Sequence, residues 1–338
     1  MGEIKESFDT DRVVLGNIFP LDTPFTVILD SSEICNLRCN YCFRSDDDKK
    51  KWGHVAGQKT MDWDVFAKAV EQIKEFPNEV RQISLSHHGE PLTNRMVPRM
   101  ATYIKERGLK CRVSIHTNAT LLDKEYAAKL AESKIDRVVI SIQGLNGDKY
   151  KEKCGVAVDF NKLYESLQYF YMVKTNTQLY IKVANTALEE GEEERFYELF
   201  RPISDRVFIE QIIPLWSEVD IKDVNDKVQN KYGQSFERQY CCPLIFHTIV
   251  VLPNGDVYPC TQLLSEDKLG NIEKESLMQC WNSEYRRGLL VNCLKMEKND
   301  ICKDCAILNN SIYAKEDMID GFREQILARI GFPLQRTE

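Results

Sequence analysis

What the chain lacks narrows its class before any motif is read. No apolar run in its 338 residues is long enough to cross a bilayer. Residues 1–10 are polar and acidic, unlike the charged-then-apolar pattern of an export signal. The expectation is a cytoplasmic protein with no membrane partner. There is no excess of positive charge either: the formal net charge is −7, which argues against a nucleic-acid partner. The one basic run, Lys49-Lys50-Lys51, follows directly on Asp46-Asp47-Asp48 and reads as a solvated loop. Repeats and low-complexity tracts are absent, and 43% apolar with 29% charged residues excludes a disordered chain.

Cysteine, by contrast, is abundant, with twelve in all. Without an export signal, and in a chain large enough to bury its own core, disulfide staples are not expected. Spaced cysteines in a reducing compartment more often hold metal or do chemistry. Three lie within residues 35–42 and seven follow residue 240. Cys111 and Cys154 stand alone between them and read as small buried hydrophobes.

Between these clusters, short apolar runs alternate with longer periodic ones. Strands are predicted over 25–30, 82–86, 111–116, 137–142, 178–183 and 206–211, all rich in Val, Ile and Phe. Met61, Trp63, Phe66, Val70 and Ile73 form one helical stripe, with Thr60 as N-cap and Asp62 and Asp64 in the first turn. Phe160, Leu163, Leu167 and Phe170 form another. Asp123 is placed to cap a helix through Ala131, and Gly108 to end the helix before it. Six such alternations predict an α/β fold, a parallel sheet with right-handed crossovers, open or closed into a barrel. In either case the active site belongs at the carboxyl ends of the strands. The expected division is an N-terminal extension over 1–24, the βα unit over 25–215 and a polar linker over 216–239. A small cysteine-rich domain over 240–310 and a closing helix within 311–338 follow.

The first cluster, Cys35-Asn-Leu-Arg-Cys39-Asn-Tyr-Cys42, directly follows the first predicted strand. Three thiolates this close on one loop can face a single point, as cluster or metal ligation demands. A structural zinc site is normally closed by four protein ligands, whereas three leave a position open. With its aromatic residue before the last cysteine, and its place on the loop after the first strand, this segment resembles the radical SAM superfamily. The resemblance implies a partial (β/α)6 TIM-like barrel in which Cys35, Cys39 and Cys42 bind a [4Fe–4S] cluster. S-adenosylmethionine (SAM) would chelate the fourth iron, and one electron from the cluster would break its C5′–S bond to give a 5′-deoxyadenosyl radical.

Further segments match the same family. His87-His88-Gly89-Glu90-Pro91 is similar to its GGEP-like turn, with His88 in place of the first glycine. The resemblance puts His87, His88 and Gly89 at the methionine end of SAM, with Glu90 accepting from the ammonium. Ser141-Ile142-Gln143-Gly144 is similar to the family's ribose-contacting Ser-Ile-Asp-Gly, and His116-Thr117-Asn118 to another of its turns. Tyr41, Asn118 and Ser141 are therefore expected at the cofactor. Lys182 falls where related enzymes carry a basic residue for the methionine carboxylate. An unpartnered lysine inside a barrel is costly, so a bound anion or Glu210 is its expected counter-charge.

Cys242-Pro243, Gly255 through Cys260, and Cys302-Lys-Asp-Cys305 resemble the SPASM/twitch extension of some radical SAM enzymes. Leu269-Gly270-Asn271-Ile272 followed by Cys280-Trp281-Asn282-Ser283 fits that extension's central link. A full SPASM domain continues past CxxC with more cysteines, whereas Cys305 is the last one here. The resemblance thus implies the shorter twitch form with one auxiliary [4Fe–4S] cluster on Cys242, Cys260, Cys302 and Cys305. Cys241 is the rival to Cys242, and two separated thiolate pairs also suit a tetrahedral zinc.

Three functions are weighed. The first is oxidation or epimerisation of a carbinol carbon on a small polar substrate such as a sugar or aminocyclitol. There the auxiliary cluster takes an electron, Glu210 or Lys182 serves the proton step, and flavodoxin or ferredoxin supplies electrons. Epimerisation would draw its hydrogen from Cys111, Cys154, Cys241, Cys280 or Cys293. The second is maturation of a ribosomal peptide, less expected because about 24 residues precede the first predicted strand. The third is a non-catalytic zinc protein. His54, Gln143, Glu210, Gln211 and Trp216 are the expected pocket residues.

Overall fold

The structure, a computed structural model, describes residues 1–6, 12–45, 59–213, 230–233, 235, 239–262, 268–297, 299, 302, 305, 307–308 and 313–332. Among these residues one sheet carries β1 (Glu3–Ile4), β2 (Thr26–Leu29), β3 (Gln82–Ser84), β4 (Arg112–Thr117) and β5 (Arg137–Ile142). It continues with β6 (Gln178–Ala184), β7 (Arg206–Glu210), β8 (Thr248–Val251), β9 (Asp256–Tyr258) and β10 (Gly270–Asn271). Its order is β1-β7-β6-β5-β4-β3-β2-β8-β9-β10. From β2 to β7 every neighbouring pair is parallel, and the sheet ends at β1 and β10 without closing. This is the expected α/β partial barrel.

The strands read as continuous apolar runs because both faces are covered. Val27 lies beside Ile83 on one side and Ile249 on the other, and all three are fully buried. The helix Trp63–Ile73 buries Phe66, Ala69, Val70 and Ile73 on one stripe, and Phe160–Val173 buries Leu163, Ser166, Leu167 and Phe170. Asp123 accepts from the Tyr126 amide and Asp159 from that of Lys162, satisfying amides that have no partner within their helices. Gly108 follows the helix Val97–Glu106 at φ +83°, a conformation open to glycine at little cost.

Two local expectations are corrected. Thr60 pairs with Ser32 in an isolated β-bridge, and Asp62 instead occupies the N-cap of the following helix. The closing helix shrinks to Arg323–Arg329, because the chain turns twice in 3-10 form at Lys315–Asp317 and Asp320–Phe322. Extended backbone at Met318 separates those turns and interrupts the hydrogen-bond ladder a longer helix would need.

The C-terminal cysteine-rich region is joined to the barrel through the sheet itself. β8 runs parallel to β2 over four residues, and β9 and β10 continue from it antiparallel. The carboxyl end of β2, which leads into the first cysteine loop, therefore lies directly beside the end of β8. Tertiary pairing alone brings these segments together, since more than 200 residues separate them in sequence.

Candidate active site

The carboxyl ends of the strands gather the expected residues. The loop after β2 carries Cys35, Cys39 and Cys42, and backbone bonds hold it from below. The Arg38 and Asn40 amides donate to the carbonyls of Cys154 and Lys153 at 3.0 and 2.8 Å. Those carbonyls end the helix Gly147–Cys154, so the cysteine loop caps groups that would otherwise lack partners. Arg44 donates to the carbonyls of His88, at 2.8 Å, and Glu33, fastening the loop to the turn after β3.

Cys154 is the small buried residue expected, and the structure gives it a neighbour the spacing did not indicate. It is buried, and its sulfur lies 3.5 Å from that of Cys39. The helix that ends at Cys154 had no motif to reveal where its last turn would dock. Tyr41 donates to Gln143 Oε1 at 2.7 Å, tying the cysteine loop to the end of β5. Burial pushes the Cys35 thiol up to about 12 and the Cys42 thiol up to about 11. The metal-free loop therefore holds thiols at neutral pH, and iron must displace their protons. Iron incorporation into the metal-free protein should thus release protons and rise from pH 7 to pH 8.5. Loading that is flat with pH would contradict protonated, buried thiols.

Gly89 is required by packing. A Cβ there would stand 2.1 Å from the Ser32 carbonyl oxygen and 2.6 Å from that of Ile34. Glu90, also buried, binds three donors: the Leu92 amide at 3.0 Å, the Asn118 amide at 2.7 Å and the Thr117 hydroxyl. Burial pushes its carboxyl up to about 7 against those bonds. An ionised carboxylate has about four acceptor positions, so roughly one remains for an ammonium. Asn118 is similarly engaged, donating to Asn36 Oδ1 at 3.0 Å and accepting from Thr120. Glu90 and Asn118 thus lock the ends of β3 and β4 to the cysteine loop.

Inside the barrel Ser141 lies beside Lys182 in the β5–β6 register. Lys182 donates to Glu210 Oε2, and Lys231 lies 2.8 Å from Glu210 Oε1. Glu210 is the counter-charge expected for Lys182. Lys231 went unrecognised because it lies in the segment read as a polar linker. Burial works against ionised Glu210, yet the two ammonium groups hold it down to about 2. Burial lowers Lys182 from the ordinary lysine range. The triad carries a surplus positive charge, which suits a bound carboxylate. His116, open on its surface but enclosed by the barrel wall, is pushed down to about 3 by burial and then by Lys182 and Lys231. Gln211 accepts from Asn185 at 2.9 Å. His54 and Trp216 lie outside the described residues.

The second thiol set also assembles. Cys242 lies 3.2 Å from the Tyr313 hydroxyl, and burial and then the charge of Cys260 raise its thiol, with Cys305 adding to it. Burial followed by Cys242 and Cys305 pushes Cys302 up to about 12. Cys241 instead faces Cys293, sulfur to sulfur at 3.0 Å. Cys293 also raises both Cys242 and Cys302, so the thiols around Cys242 are Cys260, Cys293, Cys302 and Cys305. A further cavity of about 340 Å³, lined by Arg12, Arg81, Arg112 and Arg206, opens at the amino ends of the strands, away from both thiol sets.

A parallel partial barrel with three thiols on its first loop and four more thiols beside its edge defines an iron–sulfur enzyme scaffold. The radical SAM superfamily model matches residues 29–195, and the iron–sulfur cluster-binding SPASM domain model matches 241–306. The chain belongs to the radical SAM superfamily and carries a SPASM/twitch iron–sulfur domain. With that membership come a [4Fe–4S] cluster, SAM and an auxiliary iron–sulfur cluster. The non-catalytic zinc reading is set aside.

Among similar proteins, the tungsten-containing aldehyde ferredoxin oxidoreductase cofactor-modifying protein of Pyrococcus furiosus is 26% identical over 86% of this chain and 90% of its own. A probable GTP 3′,8-cyclase of Methanococcus maripaludis is 36% identical, but over only 35% of this chain and 36% of its own. Streptococcus suis SuiB bound to precursor peptide SuiA superposes with a TM-score of 0.63 at 20% identity, covering 87% of this chain and 71% of that one. BtrN in complex with AdoMet and 2-DOIA gives 0.52 at 17% identity, covering 86% and 97%. At these identities both show the fold. No helix of the described residues is long and apolar enough to cross a membrane.

Proposed function

We propose that this radical SAM enzyme oxidises a carbinol carbon of a small polar molecule, such as a sugar or aminocyclitol, to a carbonyl. When bound, SAM on the first cluster supplies a hydrogen-abstracting radical, and the auxiliary cluster a one-electron acceptor. Cys35, Cys39 and Cys42 would hold the first cluster, and Cys242, Cys260, Cys302 and Cys305 the second. Lys182 and Lys231 would orient the methionine carboxylate, with Ser141 on β5 and Gln143 just past its end.

The observation that carries oxidation over epimerisation concerns the spare thiols. Inversion needs a thiol facing the substrate to return a hydrogen atom. Cys111, Cys154, Cys241, Cys280 and Cys293 are all buried, none more than 7% exposed. Cys154 lies against Cys39, and Cys241 against Cys293. Oxidation requires instead that a proton and an electron leave. A carboxylate held near 2 is a poor base at neutral pH, which argues against Glu210 in the proton step.

A substrate deuterated at the carbinol carbon should give deuterated 5′-deoxyadenosine and a ketone in equal amounts. An inverted alcohol carrying solvent hydrogen would refute oxidation. A precursor peptide is the second substrate class to assay, because a neighbour of this fold was solved with one. Flavodoxin or ferredoxin is the proposed electron donor. Cys305→Ala should remove roughly half the iron, one [4Fe–4S] cluster of two, yet leave SAM cleavage measurable. Loss of all cleavage with the first cluster intact would overturn the auxiliary role.

A further inference from the structure

Asp30 follows β2, and its amide donates to the Val251 carbonyl on β8 at 2.9 Å. Its side chain is fully buried, and neither carboxylate oxygen has a hydrogen-bond partner. A carboxylate in that position demands a positive charge or donors close by. The residues facing it come from the end of β3. His87 Nδ1, also buried and without a hydrogen-bond partner, lies 3.7 Å from Asp30 Oδ2. One ligand atom each from Asp30, His87 and His88 lies within 4.8 Å of the other two.

The far side of the imidazoles indicates what this arrangement accepts. The Nε2 atoms of His87 and His88 lie 3.1 and 3.2 Å from the carbonyl oxygen of Thr261. A carbonyl only accepts, so Nε2 is the nitrogen that carries hydrogen. In a neutral His87 ring, Nδ1 then turns a lone pair toward the Asp30 carboxylate, acceptor against acceptor. A proton, a bridging water or a metal ion would resolve that opposition. A charge-assisted N–H···O bond would draw the atoms to about 2.7–2.9 Å. Two ligands each about 2.1 Å from one ion stand about 3–3.5 Å apart, closer to the spacing found. The second imidazole packs against the first, with centroids 3.4 Å apart, and offers a third ligand atom. The Thr261 carbonyl acts as the outer partner that fixes the tautomer of a metal-binding histidine.

We propose that Asp30, His87 and His88 bind one divalent first-row transition-metal ion, separate from both iron–sulfur thiol sets. Two imidazoles and a carboxylate suit Fe(II), Mn(II) or Zn(II), and leave coordination positions for an oxygen ligand such as a hydroxyl or carboxylate. The place fits such a ligand. Thr261 follows Cys260 of the second set, and Phe43, which follows Cys42 of the first, meets the His88 ring edge-on with centroids 5.6 Å apart. The site therefore borders a neighbour of each thiol set. The expected contacts of His87 and His88 with SAM then pass from their side chains to their backbone. The proposal does not depend on which reaction the enzyme performs.

The test uses the enzyme with its iron–sulfur clusters reconstituted anaerobically, so that the ligand thiols are occupied. It is titrated with Mn(II), which favours oxygen and nitrogen over thiolate, and the free-ion EPR signal is followed. One equivalent should bind, and pulsed EPR of the bound ion should show imidazole nitrogen couplings. Asp30→Asn and His87→Gln should each weaken binding tenfold or more while keeping the wild-type iron content. No uptake of Mn(II), or uptake without nitrogen couplings, overturns the site. So does undiminished binding in either variant. Because the couplings are read on the unaltered chain, a variant that fails to load its clusters does not remove the test.

Discussion

Replacing Cys39 by alanine should abolish 5′-deoxyadenosine formation and remove the first cluster's share of iron. Cys39 is the middle of three thiols on one loop, and a [4Fe–4S] cluster that already leaves one iron for SAM has no protein ligand to lose. The neighbouring Cys154, with its sulfur 3.5 Å from that of Cys39, is the group best placed to substitute. The double variant Cys39→Ala/Cys154→Ala is therefore the control. Cleavage that survives in both variants would refute the assignment of Cys39 as a cluster ligand. Cleavage that vanishes only in the double variant would make Cys154 a reserve ligand.

Gly89→Ala should be nearly as damaging, although it removes no ligand. The added methyl would meet two backbone carbonyl oxygens, those of Ser32 and Ile34, at 2.1 and 2.6 Å. Neither belongs to a flexible side chain that could swing aside. The segment leading into Cys35 must shift, breaking the 2.7 Å bond from the Glu90 amide to Ile34. Overpacking typically costs about 1–3 kcal/mol, and contacts this close with backbone put this case at the upper end. Thermal unfolding should show a lowered midpoint, and cluster loading should fall well below that of the unaltered chain. A variant with unchanged midpoint and full iron would mean that the loop adjusts freely. The contacts holding it would then matter less than their geometry suggests.

The contrast between these two residues marks how much of the site was legible in the sequence. Cys39 was singled out directly, because three thiols on one short loop are a local property of spacing. Gly89 and Glu90 were recognisable as members of a turn, and the close backbone approach expected at Gly89 is what its packing against Ser32 and Ile34 shows. What the turn did not reveal is that Glu90 also accepts from the Leu92 and Asn118 amides and the Thr117 hydroxyl. Lys231 carried no motif at all. It matters because the chain returns after β7 to place an ammonium 2.8 Å from Glu210.

From the sequence alone came the α/β alternation, the strands from β2 to β7, the cap at Asp123 and the close spacing of the three cysteines on the first loop. Each follows from interactions among residues close in the chain: side-chain periodicity, helix-end hydrogen bonding, and loops short enough to bring thiols together. Tertiary structure alone decided that β8 joins β2, that Cys154 lies beneath Cys39, and that Asp30 faces His87. Those neighbours are set by sheet order and buried packing across tens to hundreds of residues, where spacing along the chain carries no information.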